Sequence, residues 1–168
     1  MPTSIAWIVC EESGRWAAAL RVELARQAAN GADTPRIFEV RSLLELSTAL
    51  DEHVAALAFV EVHSDNFGHV LELLTKGRWP RARFVALFDR SVVGQSEEES
   101  LTQAAWQTVT NALWEAGAAE VIASPRQLHS ALKLAELHSA TCAKRAVSTP
   151  DLAAIAARAW ASLPWQDG

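Results

Sequence analysis

Residues 57–74 read Leu57-Ala58-Phe59-Val60-Glu61-Val62-His63-Ser64-Asp65-Asn66-Phe67-Gly68-His69-Val70-Leu71-Glu72-Leu73-Leu74. An apolar run without Gly or Pro reaches a carboxylate, passes through a short polar loop containing a glycine, and enters an amphipathic run. This order predicts a buried strand feeding a helix. In an open parallel sheet, ligands and chemistry sit just beyond the carboxyl ends of the strands. Glu61 therefore occupies the place where a functional group is expected.

On the N-terminal side, every residue from Ile5 to Val9 is apolar, as suits a strand covered on both faces. Cys10, Glu11 and Glu12 follow. Ser13 is the expected cap of a helix running to about Ala29, with Trp16, Leu20 and Leu24 on one stripe. After Pro35, the more mixed Ile37-Phe38-Glu39-Val40 reads as an edge strand. Leu43, Leu46, Leu50 and Val54 are spaced for one face of the next helix.

On the C-terminal side, the helix from Phe67 to about Lys76 closes at Gly77 and Pro80, and Phe84 to Phe88 forms another fully apolar strand before Asp89 and Arg90. Ser96 and Glu99 have capping-box spacing. They open what reads as the longest helix, with Leu101, Ala105, Val109, Ala112 and Ala116 in pattern up to Gly117. Val121-Ile122-Ala123 is a short strand, and Pro125 suits the first turn of a helix carrying Leu128, Leu132 and Ala135. Lys144 to Thr149 reads as a polar linker. Pro150-Asp151 then opens a last helix to about Leu163, with Leu152, Ile155, Ala156 and Ala159 on one face. The expected organisation is a domain over 1–143, followed by a linker and C-terminal helix over 144–168 that pack on the domain or on a partner.

Strands alternating with helices predict an α/β fold, a flavodoxin-like doubly wound five-stranded parallel sheet. The wholly apolar strands should be interior and the mixed or short ones edges, which is the demand of the order 2-1-3-4-5.

The 168 residues suffice to bury roughly 70% of the unfolded surface without disulfide or metal. Cys10 and Cys142 lie in predicted strand and helix, a use that fits a reducing cytoplasm. A formal charge of −5 argues against nucleic-acid binding through a basic face. No apolar stretch approaches the ~20 residues of a bilayer crossing. The expected localisation is cytoplasmic, and arginine and alanine usage suggests a bacterial source.

At this point the chain resembles a response-regulator receiver domain over roughly Ile5 to His138. Ile8-Val9-Cys10-Glu11-Glu12, with Arg15 and Leu20, resembles the family's first strand and acidic loop. Val60-Glu61, then Gly68 and Leu71-Glu72-Leu73-Leu74, resembles the phosphoacceptor strand and third helix. Ala112-Leu113-Trp114-Glu115-Ala116-Gly117-Ala118, with Ser124-Pro125, is similar to the glycine-alanine turn and lysine-proline pair. The resemblance implies phosphoryl transfer to an aspartate, with acids for Mg²⁺, a hydroxyl and a lysine. Here the acid pair falls on Cys10 and Glu11, or on Glu11 and Glu12. The acceptor falls on Glu61, the hydroxyl on Phe88 and the lysine on Ser124. An extra methylene moves the Glu61 carboxylate outward by about 1.5 Å, which positional catalysis tolerates poorly. The expected protein is a degenerate pseudo-receiver that is not an enzyme and takes no cofactor. Its role is a non-phosphorylatable interaction module in bacterial signalling or regulation.

Two other readings stand beside it. Glu11, Glu12, Glu61 and Asp89 converging at one sheet edge would form a divalent-metal-responsive or atypically phosphorylated switch, with Glu11 and Glu61 as weak Mg²⁺ ligands. Alternatively, Cys10 with His63 as base would form a small thiol enzyme. Seven tryptophans and no tyrosine add a further expectation. Trp7 and Trp16 fit the core, whereas Trp106, Trp114, Trp160 and Trp165 are candidate anchors for a protein partner. The candidate contact surface is the fourth and fifth helices with the C-terminal helix, and the resemblance implies a homodimer through that side.

Overall fold

The computed structural model describes residues 5–29, 35–88 and 99–148. Its elements, in chain order, are β1 (Ala6–Cys10), α1 (Arg15–Ala28), β2 (Ile37–Val40), α2 (Leu43–Glu52), β3 (Ala56–Val62), α3 (Phe67–Thr75), β4 (Ala82–Phe88), α4 (Glu99–Ala116), β5 (Glu120–Ile122) and α5 (Leu128–Ser148). The strands form one parallel sheet in the order β2-β1-β3-β4-β5. This is the predicted flavodoxin-like topology, and the stretch around Leu57 is its central strand.

The pleat alternates side chains between two cores. Ala6, Ile8 and Cys10 of β1, with Ala58 and Val60 of β3 and Phe84 and Phe88 of β4, face α2, α3 and α4. Trp7 and Val9, with Leu57, Phe59, Val85 and Leu87, face Trp16, Leu20 and Leu24 of α1 and Leu128, Leu132 and Ala135 of α5. Leu57 and Phe59 are wholly buried, each such side chain contributing about 1.5–3 kcal/mol over its exposed state.

Several expectations are corrected. The helix after β1 begins at Arg15, and its N-cap is Gly14 in the left-handed region (φ 77°), a conformation that Ser13 would adopt only with strain. Val54 leaves the α2 stripe because the helix stops at Glu52, and its side chain is 66% exposed. α4 is described over 18 residues from Glu99 and α5 over 21. The helical backbone of α5 continues through the residues read as a linker from Lys144, to Ser148. The boundary drawn at 143/144 thus falls inside α5. Asp89, Ser96, the last predicted helix and Trp160 and Trp165 lie outside the described residues. No described helix is long and apolar enough to cross a membrane.

Candidate functional site

The residues that the resemblance assigns to chemistry lie at the carboxyl edge of β1, β3, β4 and β5, and each is engaged locally. Glu11 is 2% exposed. Its Oε2 accepts the Trp16 N–H at 2.8 Å and its Oε1 the Ala17 N–H at 2.6 Å, so its carboxylate serves the first turn of α1. A negative group there also meets the positive end of the helix dipole. Its own N–H donates to the Val40 carbonyl, extending the pairing of β1 with β2.

Glu61 lies inside β3, one residue before its end. Its Oε2 accepts the Glu12 N–H at 3.1 Å and stands 3.5 Å from His63 Nε2. Glu12 contributes its backbone, while its side chain is exposed. Asn66 closes the loop after β3: its Nδ2 donates to the Glu61 carbonyl at 2.9 Å and its Oδ1 accepts the His63 N–H at 2.7 Å. Arg41 Nη1 donates to the carbonyls of Glu11 (3.0 Å) and Glu12 (3.2 Å), and its Nη2 reaches Glu39. Arg41 therefore braces the acidic loop through its backbone carbonyls.

On the other face of the sheet, Phe88 is buried and its ring lies 4.9 Å from that of Trp106. Ser124 caps the short 3₁₀ turn Pro125–Gln127, its hydroxyl accepting the Arg126 N–H. Gln127 Oε1 accepts the Ala123 N–H at 2.8 Å, so the loop after β5 is bonded to itself.

Among the described residues, no group of three or more His, Cys, Asp or Glu is placed to hold a metal. With both Glu11 oxygens carrying N–H bonds, the described donors do not fit the divalent cation that the resemblance implies. The thiol reading also meets an obstacle. Cys10 belongs to the core under α2–α4, while His63 faces Glu61. Burial, followed by repulsion from Glu45, Glu61, Glu11 and Glu12, pushes the Cys10 thiol from 9.0 up to about 12. The thiol is the inert protonated form at neutral pH.

Iodoacetamide at neutral pH should accordingly label half-buried Cys142 well before Cys10, as read by peptide mass spectrometry; equal labelling would contradict the burial of Cys10. Because the folded state holds this proton more tightly than the unfolded chain, the associated stability is fully present below about pH 9. It is lost as pH rises toward about 12.

Sequence reasoning missed Asn66 and Glu45. Glu45 had a signal: Ser42 and Glu45 have capping-box spacing, and the structure shows Ser42 Oγ accepting the Glu45 N–H while Glu45 accepts the Arg41 N–H. Asn66 had none beyond its place in a polar loop.

Two solved structures resemble this chain. A CheY-like protein (tadZ) from Pseudomonas aeruginosa PAO1 superposes with a TM-score of 0.50 at 18% identity, over 78% of this chain and 92% of that one. A putative pilus assembly-related protein from Burkholderia pseudomallei K96243 gives 0.48 at 18% identity, over 82% and 93% respectively. No family model and no curated protein matches the sequence. At this identity the likeness is one of fold, and the fold is the CheY-like receiver fold.

Proposed function

We propose that the chain is a receiver-like interaction module in bacterial signal transduction or regulation, acting in the cytoplasm without phosphorylation, catalysis or a bound cofactor. The observation that carries this reading is the engagement of the pocket positions in structure. Glu11 caps α1, Glu61 holds the Glu12 backbone, Phe88 packs on Trp106 and Ser124 caps a turn. A switch of the receiver kind needs a free carboxylate, a metal-binding pair and a mobile hydroxyl. Glu61 as a mimic of a phosphorylated acceptor is the weaker account, since one carboxylate charge falls short of the ~1.5 to 2 of a phosphoryl group.

The partner we propose is a second copy, docking through α4 and α5. Trp114 on α4 and Leu137 on α5 stand 50% and 68% exposed, and an uncovered indole is the kind of anchor that dominates interface energy.

The test is an amide NMR titration of the full chain with Mg²⁺ and then beryllofluoride, which stands in for a phosphoryl group. We expect no saturable shift at Glu11, Glu12 or Glu61 beyond the ionic-strength control. Saturable shifts there would replace this reading with the metal-responsive or atypically phosphorylated switch. In the same samples, light scattering should give the mass of a dimer that Trp114→Glu converts to monomer; a wild-type monomer at all concentrations would remove the homodimer.

A further inference from the structure

At the opposite end of the sheet from Glu61, a cavity of about 240 Å³ opens where β3 and β4 begin, beside the end of α2. Buried Leu50, Ala56 and Ala82 line it, and Val54 adds a side chain that is 66% exposed. The polar lining is organised by Asp51. Its Oδ1 accepts the Trp79 indole N–H at 2.8 Å and its Oδ2 accepts Arg78 Nη2 at 2.7 Å. Arg78 also lies over the Trp79 ring, 5.4 Å from its centre, and that ring contacts Phe84 at 6.4 Å. His53 is likewise fixed, its Nδ1 2.7 Å from the Ala49 carbonyl and its ring edge-on to Phe38 at 4.8 Å.

Asp51 thus ties Arg78 and Trp79 together at a half-exposed rim, and His53 is held beside it. Asp51 and Arg78 balance each other, which leaves Arg81, an exposed residue of the lining, without an ion pair among the described residues. An apolar floor, an aromatic wall and an unmatched guanidinium favour a carboxylate on a small apolar body.

We propose that this cavity binds a small carboxylate with a flat or branched hydrocarbon body, Arg81 taking the carboxylate and Trp79, Leu50 and Val54 the hydrocarbon. The site is independent of the receiver-like pocket and of its chemistry. Benzoate is a suitable probe for titration into the full chain, read by NMR at the Trp79 indole N–H, which is assigned by its loss in Trp79→Phe. We expect saturable shifts there and in the amides of residues 78–82. Benzamide, which lacks the charge, and the variant Arg81→Gln should each weaken binding about tenfold, the scale of one charge-assisted bond. Arg126→Gln, at an exposed arginine elsewhere, should leave it unchanged. Absence of saturation at tens of millimolar benzoate, equal affinity for benzamide, or indifference to Arg81→Gln would each overturn the proposal.

Discussion

Glu11→Ala is expected to destabilise the protein by about 3 kcal/mol, seen as a lower urea midpoint with an unchanged slope. The side chain is almost wholly buried and accepts two short hydrogen bonds from the first turn of α1. Its loss leaves the N–H groups of Trp16 and Ala17 without that acceptor, and a buried unsatisfied donor costs about 1–3 kcal/mol. The N-cap residue, Gly14, has no side chain with which to compensate. Glu11→Gln keeps one carbonyl oxygen and should lose about half as much. The opposite sign is what a repulsive acid cluster awaiting a cation would give, because removing one carboxylate from such a cluster relieves it. A raised midpoint in metal-free buffer would therefore reject the capping role and restore Glu11 as a metal ligand.

The same residue marks where the sequence stops being legible. The strands were readable because a parallel sheet buried on both faces demands uninterrupted apolar runs. Ile5 to Val9, Leu57 to Val60 and Phe84 to Phe88 have that character and supply the three interior strands, while mixed Ile37-Phe38-Glu39-Val40 and the short run at Val121 became the edges. The positions of the site residues followed from this topology, but their roles did not. Ser13 looked like the cap of α1 because serine beside a helix start is a local signal. The carboxylate that does the work lies five residues before Trp16 in sequence and reaches it only through the turn at Gly14.

The clamp at the other end of the sheet was less visible still. Asp51 and Trp79 are 28 positions apart, and no local pattern relates them. The helix extending α5 to Ser148 shows the converse error. Lys144, Arg145 and Ala146 open the stretch read as a polar linker, yet each is a good helix former, and the backbone there is helical.

The second large effect is expected at Phe88, where the resemblance places a hydroxyl. Phe88→Ser should cost about 4 kcal/mol and yield no phosphorylation with acetyl phosphate. Phe88 ends β4 opposite Val62, is 5% exposed, and belongs to the core under α2–α4. Replacing it with serine removes most of a buried aromatic side chain and leaves a cavity, for which large-to-small losses of 3–5 kcal/mol are usual for phenylalanine. The contact with Trp106 adds about 0.5–1.5 kcal/mol of that total as an aromatic pair. A serine hydroxyl placed among apolar neighbours would add a desolvation cost unless it found a partner. Phe88→Leu, which keeps apolar bulk, is expected to cost under about 1.5 kcal/mol. Urea midpoints of the two variants give the ranking, and a double-mutant cycle with Trp106→Leu isolates the ring contact. If Phe88→Ser were tolerated within about 1 kcal/mol, well below the loss expected of a core phenylalanine, then the place of the family's hydroxyl would be an open pocket after all. The reading of this edge as packed structure would fail with it.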